Sequence, residues 1–505
     1  MGDSLYVVSR SGLKISSMLD ETRPTVNRQD WPRAWAKTTS PFTLVLTLGC
    51  FAMALRTVAD PDVWWHLRTG QLIWRNHAIF RTDPFSYTRF GQPWLNHEWL
   101  TDAIMYGIST VGTWTALSIL FAALAAAALL IAYARCKTRP AIAAWVTVCG
   151  AAAVMPSLGV RPQVISFLFA SLFLWILDRS LDRPKVLLWL VPLTLLWVNL
   201  HAGYVVGIAF VLLFLFGTVL NAALSSATWP KTKKESRNLV FTLLGCLAVV
   251  PINPYGAAMF RYPFATLGSQ AMQSAIREWA SPNFHATIHL PTLWAILALF
   301  LLLAIRPQKL SPRDVLLLTV GITGSLLSVR HIPFVVLIAI PLASRLLESS
   351  PDPTIGKPWN GRWRLGFTLL LTGCILGFVV ARMMQIQSQQ AQSEAANYPE
   401  RAATFLMGHV PEGPMLNSYD WGGYLIWRLY PKYPVFIDGR ADVYGDSLIN
   451  ENIASYYLRN DWAEPIQEWG ITTALLPLNA PLVQGLRARG WKQVYADSQA
   501  VILRK

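Results

Sequence analysis

Apolar runs of about 17–25 residues recur along the first three quarters of this chain, and that is the length a helix needs to cross a bilayer. Only 14% of the residues are charged, whereas a soluble protein would carry about a quarter. The sequence therefore predicts an α-helical polytopic membrane protein with about eleven transmembrane helices. We expect spans at 42–59, 113–134, 141–157, 163–177, 185–200, 203–221, 238–253, 290–305, 314–329, 332–346 and 365–381.

The net charge of +15 comes mostly from short loops between the apolar runs. Such loops are cytoplasmic by the positive-inside rule, so the charge needs no nucleic-acid partner, and we exclude one. An odd number of spans then places the C-terminal segment in the periplasm or outside the cell. The chain has no N-x-S/T acceptor site, which favours a bacterial inner (plasma) membrane. The basic segments on the cytoplasmic side are 135–139, 178–185, 231–237, 306–313, 345–364 and the N-terminal tail, 1–41.

Polar side chains gather on the opposite face, at outer ends of spans or in outer loops. An ionisable group at the centre of a span costs roughly 2.5–3.5 kcal/mol, and less near the interface. Taken singly, His201 could be a hydrogen-bonded packing residue, and Arg330 could extend to the outer headgroups. Their coincidence on one face predicts a shared, outward-facing site. Its candidate residues are Asp60, Asp62, His97, Glu98, Arg161, His201, Asn253, Tyr255, Arg277, Glu278, Arg330 and His331.

The first outer loop, 60–98, is long and carries no span. Its first part, 60–74, has apolar and tryptophan residues in a spacing that suits a helix lying in the membrane interface. Asp60 suits the N-cap of that helix, a role worth about 1 kcal/mol that leaves Asp62 unexplained. A turn in FGQPWLNHEWL (90–100) then leads into a further helix, which we expect to pack on the membrane without crossing it.

This order of features resembles the GT-C superfamily of integral-membrane glycosyltransferases, which includes protein O-mannosyltransferases and lipid A aminoarabinose transferases. The shared features are an acidic pair after the first span, an interfacial helix, and a Gly-x-Pro-aromatic turn before a charged, tryptophan-rich helix, here GQPWLNHEWL. The resemblance implies a catalytic acid in the first outer loop. It also implies that a sugar passes from a polyprenyl-phosphate carrier to a lipid, glycan or protein acceptor on the outer face.

Two departures from the family pattern leave the identity of the base open. Many relatives have adjacent Asp-Glu where this chain has Asp60-Pro61-Asp62, and the Glu-Lys-Pro-Pro of some is replaced by Asn-His-Glu-Trp at 96–99. Our hypothesis is that Asp60, which stands closest to the membrane, is the general base. Asp62 would then orient the acceptor or a metal.

Glycosyl transfer from a phosphate-linked donor has chemical requirements that these residues meet. A carboxylate must take the acceptor's proton, and cations or a metal must hold the departing phosphate. We assign Arg330, next to His331, to the carrier phosphate because a guanidinium binds two oxygens at once. The two aspartates could also hold a divalent metal with Glu98 or His97 as a further ligand, and metal dependence stays open.

The last part of the chain predicts a small extracytoplasmic α/β domain at 398–505, joined by a polar linker, 382–397, to the transmembrane domain, 42–381. Its most distinctive segment is an apolar strand that ends in a charged turn with Asp438, Arg440 and Asp442. Charged groups at the C-terminal end of a strand are typical of sites in α/β domains. The alternative is an internal salt-bridged turn, and the sequence does not decide between them.

Two other functions compete with glycosyl transfer. A transporter or flippase would also have many spans and intramembrane polar groups, but the span pattern shows no internal repeat, and the polar residues lie at one face instead of the midplane. A non-catalytic subunit of a polysaccharide or glycolipid assembly system would keep the fold without the activity. Protease, esterase and nucleotide-hydrolase functions lack their motifs, HExxH, G-x-S-x-G and the P-loop.

Overall fold

The structure, a computed structural model, describes residues 41–224, 229–306, 310–348 and 361–505. The predicted tail, except for its last residue, and most of the basic loop 345–364 lie outside these residues. The helices up to the end of the membrane part are α1 (Pro41–Ala54), α2 (Val63–Asn76), α3 (Trp99–Arg135), α4 (Pro140–Val154), α5 (Gln163–Ser180), α6 (Leu190–Leu200), α7 (Tyr204–Leu224), α8 (Trp229–Val249), α9 (Ala258–Gly268), α10 (Gln270–Ala275), α11 (Leu290–Ile305), α12 (Pro312–Leu327), α13 (Ile332–Glu348) and α14 (Gly361–Asn397).

Every predicted span overlaps a helix in the described part of the chain. There, 7 helices are long and apolar enough to cross a membrane, and two shorter apolar helices, Thr43–Ala54 and Pro184–Leu200, accompany them. The protein is therefore the predicted multi-pass helical membrane protein, and the number of crossings stays a prediction. Helix α3 is interrupted at Thr113, where φ is 62°, so the break separates the predicted surface helix from the span that follows.

Helix α2 confirms that the first outer loop begins with a helix, but the predicted cap is wrong. The N-cap position belongs to Asp62, whose side chain makes no cap bond. The Asp60 carboxylate instead accepts a hydrogen bond from the backbone N–H of Asp62 at 2.9 Å, which fixes the turn before the helix. Helix α2 packs closely on α3, since a Cβ on Gly70 would lie 2.1 Å from the carbonyl oxygen of Asp102.

The C-terminal part carries a four-stranded sheet in the order β1-β2-β4-β3, in which β1 is parallel to β2 and the other pairs are antiparallel. Edge strand β3 has exposed residues, while β2 and β4 in the middle are buried, as expected for a sheet covered by helices. Its elements are α15 (Glu400–Met407), β1 (Met415–Asn417), α16 (Gly422–Leu429), α17 (Ala441–Tyr456), α18 (Glu464–Glu468), β2 (Thr473–Pro477), α19 (Pro481–Ala488), β3 (Lys492–Ala496) and β4 (Ala500–Arg504).

The apolar segment that ends in the charged turn does not join this sheet. Val435 instead forms a parallel bridge with Ser86 of the outer loop, with backbone hydrogen bonds of 3.1 Å to Phe85 and Tyr87. The predicted strand is therefore reduced to a single bridge residue, which pairs with the outer loop.

The C-terminal part and the outer loop share one hydrophobic core. Trp64, Trp65 and Trp94 of the loop pack in the same cluster as Tyr424 and Leu425 of α16. The predicted linker, 382–397, forms the last turns of α14, so the membrane part continues into the C-terminal part without an irregular segment.

Candidate functional site

A polar pocket lies where the outer loop, the outer ends of the membrane helices and the C-terminal part meet. It brings together residues from seven separate segments of the chain, so side chains that are far apart in sequence line the same space. Of the predicted site residues, it is lined by Asp60, Asp62, His97, Glu98, Arg161, His201, Arg330, Arg440 and Asp442.

Four alternating charges form a chain beside the pocket, and three of them, Asp60, Arg161 and Arg330, line it. The Arg161 guanidinium donates to the Asp60 carboxylate, with Nε–Oδ2 at 2.6 Å, and also forms an ion pair with Glu278. Glu278 in turn binds Arg330 at 3.0 Å. Burial raises the pKa of Glu278, but the Arg161 and Arg330 guanidiniums lower it by more, so this pKa lies below its usual range. The chain is electrically balanced, and the Arg330 charge is already matched by a carboxylate.

Asp62 differs from Asp60 in its surroundings. Its Oδ1 accepts a hydrogen bond from the Trp65 indole at 3.0 Å, and no described cation forms an ion pair with it. Burial and the nearby Asp60 carboxylate raise the pKa of Asp62 to about 7. Asp62 is therefore a carboxylate that can take up and release a proton near neutral pH.

Glu98 stands at the centre of three imidazoles. Its carboxylate oxygens lie 3.6 Å from His66 Nε2, 3.4 Å from His97 Nε2 and 3.3 Å from His201 Nε2. Burial alone would raise the pKa of Glu98, but the three rings lower it well below the usual range. Glu98 is therefore ionised and fixes the orientation of the rings around it.

His97, Glu98 and His201 are spaced closely enough to share a metal ion, their ligand atoms lying within 4.8 Å of one another. The hydrogen bonds of His201 do not suit that role. The Gly203 N–H donates to His201 Nδ1 at 2.9 Å, so the ring proton of the neutral form lies on Nε2, the atom that faces Glu98. A metal would require the other tautomer. Asp60 and Asp62 are not part of this cluster, and no step is assigned to a metal.

His66 and Asp102 form a buried pair behind Glu98. Nδ1 of His66 lies 2.6 Å from Asp102 Oδ1, and the other Asp102 oxygen accepts from Asn96 at 2.8 Å. Burial lowers the pKa of His66, but Asp102 and Glu98 raise it more, to about 9. His66 is thus a cation at neutral pH that balances the acids near the pocket floor.

The charged turn of the C-terminal part forms the roof of the pocket. Arg440, 2% exposed, binds Asp438 at 2.6 Å and Asp83 of the outer loop at 2.7 Å, so the salt-bridged turn is present. Its guanidinium also lies over the Trp94 ring, with its carbon 4.6 Å from the ring centroid. Asp442 faces the pocket, and its pKa is raised by burial. The turn is thus salt-bridged internally through Asp438 and Arg440, and it also presents a charged group, Asp442, to the pocket.

Six predicted residues do not line the pocket. Asn253 donates to the Val198 carbonyl at 3.0 Å, and the Tyr255 hydroxyl to the Phe80 carbonyl at 2.7 Å, so both hold loops together. His331 packs against Trp279 and Phe334. The other three are Arg277, Glu278, which pairs with Arg161 and Arg330, and Asp438, which pairs with Arg440.

Sequence reasoning missed three residues that the geometry makes prominent. His66 lies four residues after Asp62, on the same helix face, and this spacing was a usable signal. Asp102 is an acid in the first turn of an apolar helix, where ionisable groups are expensive. The role of Gly439, which brings the C-terminal turn against Asp62, has no local signal because the two segments are far apart in the sequence.

Comparison with known proteins gives a fold. No protein-family model and no curated protein matches the chain. The apo oligosaccharyltransferase of Archaeoglobus fulgidus is similar over 88% of this chain and 70% of its own, with TM-score 0.52 and 12% identity. ArnT from Cupriavidus metallidurans bound to undecaprenyl phosphate is similar over 91% of this chain and 96% of its own, with TM-score 0.53 and 12% identity. ArnT from the same organism in the apo state is similar over 94% of this chain and 98% of its own, with TM-score 0.52 and 14% identity.

These likenesses confirm the resemblance that the sequence predicted. The chain has the GT-C fold of integral-membrane glycosyltransferases, over the membrane part and the C-terminal part together. At such low identity the comparison establishes the architecture and leaves the roles of individual residues to chemistry.

Proposed function

We propose that this protein is a membrane glycosyltransferase that moves a sugar from a polyprenyl-phosphate carrier to a lipid, glycan or protein acceptor on the extracytoplasmic face of the inner (plasma) membrane. The observation that carries the proposal is Asp62, a partly buried carboxylate with a pKa of about 7 that lines the pocket of a GT-C fold. A solved structure of the same fold, ArnT, is bound to undecaprenyl phosphate, which supports a carrier of this class.

The surroundings of the two aspartates favour Asp62 as the base. Asp60 is already engaged by the Arg161 guanidinium, whose Nε donates to its carboxylate at 2.6 Å. Asp62 has a pKa matched to neutral pH, which is the best condition for proton transfer from an acceptor hydroxyl or amine. We therefore reverse the roles that the sequence suggested: Asp62 takes the proton, and Asp60 holds Arg161.

The other pocket residues fit the binding of a sugar. Glu98, ionised between its imidazoles, and Asp442 on the roof present acceptors for sugar hydroxyls. Trp279 and Trp94 also line this space, with guanidiniums over their rings. Because the pocket lies between the outer loop and the C-terminal part, the acceptor would enter from the extracytoplasmic side.

The function is tested by mass spectrometry of lipid-linked sugars and surface glycans in cells with and without this protein. We expect cells without it to accumulate a carrier-linked sugar and to lack one surface sugar. Asp62→Asn should lower transfer about 10²–10⁴-fold, the usual worth of a general base. Asp420→Asn, an exposed carboxylate of the C-terminal part, is the matched control and should transfer normally.

The same experiment separates transfer from transport. A flippase would also change surface sugars, but the purified protein would then form no product from carrier-linked sugar and acceptor in detergent. Unchanged lipid-linked sugars and glycans in cells lacking the protein would contradict the proposed function. Full activity of Asp62→Asn would remove the carboxylate from the mechanism.

A further inference from the structure

A second cavity, of about 860 Å³, opens beside the polar pocket at the level where α1 ends. Asp60 and Arg161 line both spaces, so the cavity adjoins the carboxylates. Its size is within the usual range of ligand sites, about 300–1,000 Å³. Most of its lining residues are apolar, and two arginines among them, Arg56 and Arg382, have no part in the mechanism so far.

Neither arginine has an acidic partner among the described residues. Arg382 donates to the Gln385 amide oxygen at 2.6 Å, and Arg56 Nε is buried with no hydrogen-bond partner. The acids that line the cavity, Asp60 and Glu278, are already bound to Arg161 and, for Glu278, to Arg330. Guanidinium groups stay protonated in proteins, so two positive charges lie here without compensation.

The two charges act on each other. Both guanidiniums line the same cavity, and like charges that share a site repel each other. Leaving partly buried cations unpaired is costly, and an anion between them would remove that cost. The cavity is therefore suited to a negatively charged group.

The fold holds both arginines in place. The Ser118 hydroxyl donates to the Arg56 carbonyl at 2.5 Å. Gln390 of α14 binds the backbone of Val58 on both sides, donating to its carbonyl at 2.9 Å and accepting from its N–H at 3.3 Å. The segment that carries Arg56 is thus fixed to the helix that carries Arg382, and the pair is preorganised.

The cavity has an apolar approach from the membrane. Phe378 stands four residues before Arg382, hence on the same face of α14, and is 57% exposed on an apolar helix. Met53 and Leu158 continue the apolar lining inward. A lipid tail can lie along these side chains while its head reaches the arginines.

We propose that Arg56 and Arg382 bind the phosphate of the polyprenyl carrier as it leaves the sugar; this inference rests on the proposed function. The acceptor oxygen bonds to the anomeric carbon, and its proton passes to Asp62. The bond from that carbon to the phosphate oxygen breaks, and its electron pair stays on the phosphate. The phosphodiester with one negative charge becomes a monoester that can carry two. The two guanidiniums carry two positive charges, so their attraction for the phosphate grows as its second negative charge develops in the transition state.

The test measures binding of undecaprenyl phosphate to the full-length protein in nanodiscs. Arg56→Gln and Arg382→Gln should each weaken binding about 10–100-fold, the range of a hydrogen bond to a charged group. Arg56→Lys should bind between wild type and Arg56→Gln because the charge is kept. Arg81→Gln, an exposed outer-loop arginine, is the matched control and should bind as wild type. Thermal unfolding of each variant verifies the fold.

Comparison lipids identify the source of the phosphate. Undecaprenol, which lacks the phosphate, should bind weakly, and neither phosphatidylglycerol nor inorganic phosphate should compete at similar concentrations. Equal binding of phosphatidylglycerol would make the cavity a general lipid-phosphate site, and competition by inorganic phosphate a free-phosphate site; either overturns the proposal. Wild-type affinity in both glutamine variants would also overturn it, leaving the proposed function intact. No saturable binding by folded wild-type protein would count against the proposed function itself.

Discussion

The proton affinity of Asp62 gives a prediction at the scale of a single residue. Burial and the Asp60 carboxylate raise its pKa to about 7. A general base works only when ionised, so kcat/KM should rise as pH increases through about 7 and level off above it. A pH series with the purified enzyme and carrier-linked donor measures this, and a flat profile between pH 5 and 9 would contradict it.

Asp60→Asn tests whether Asp62 is the base and Asp60 only holds Arg161. The change removes a like charge beside Asp62 and frees Arg161, and both effects stabilise the ionised form of Asp62. The acidic limb of the pH profile should therefore move to lower pH, with activity largely retained at pH 8. Complete loss of activity at every pH, with Asp62→Asn still active, would return the base to Asp60.

The sequence predicted pocket residues where an ionisable side chain near the membrane costs free energy. Asp60, Asp62, Glu98 and Arg161 line the pocket, and the sequence indicated them because ionisable groups near a membrane need a reason to be there. Tyr255 and Asn253 were predicted by the same criterion, a polar side chain at the outer end of a span, but their polar atoms hold neighbouring loops together. Sequence alone cannot separate the two uses, because both place polar side chains at the outer ends of spans.

At the scale of elements, the contact between the charged turn and helix α2 positions the base. A Cβ on Gly439 would lie 1.8 Å from Asp62 Oδ1, so a larger residue there would have to move this carboxylate. Gly439→Ala should displace Asp62 and lower transfer at least about tenfold, the result of removing one well-placed interaction. Gly408→Ala, whose Cβ would make only an ordinary 3.4 Å contact, should transfer normally.

A double variant shows whether the effect runs through Asp62. If Gly439→Ala acts by displacing the carboxylate, adding it to Asp62→Asn should cause little further loss, because the function is already gone. Equal fold-losses in the presence and absence of the carboxylate would assign Gly439 to folding alone. Thermal unfolding of the four proteins provides the comparison.

The sequence pattern predicted which segments form helices, but it did not predict which segments pair with one another. The membrane helices were predicted from length and hydropathy, since the bilayer imposes both. The segment before Asp438 was predicted as a strand from its apolar residues, yet Val435 pairs with Ser86 of the outer loop. That partner is set by a contact across most of the chain, which no local pattern encodes. The polar composition of 382–397 likewise predicted a linker, although these residues continue helix α14.

The whole molecule joins its outer parts into one unit. The sequence predicted an independent C-terminal domain, but Trp64 and Trp94 of the outer loop are buried in a cluster with Tyr424 and Leu425. Arg440 binds Asp83 across the same boundary. The site is therefore completed by the C-terminal part, which explains how residues from opposite ends of the chain surround one pocket.

The orientation of the whole molecule gives the final prediction. The basic segment 231–237 should be cytoplasmic, while the end of α14, which leads to the pocket and the C-terminal part, should be on the outer side. Lys233→Cys and Gln392→Cys place single exposed thiols at these two positions. Of the native cysteines, Cys50, Cys136 and Cys246 are buried, and Cys149 and Cys374 lie on apolar helices, so each thiol is introduced after these five are replaced by serine or alanine. A membrane-impermeant maleimide should label Gln392→Cys in intact spheroplasts and Lys233→Cys only in inverted vesicles. Labelling of both from the same side would contradict the topology, and with it the outward-facing pocket on which the proposed transfer depends.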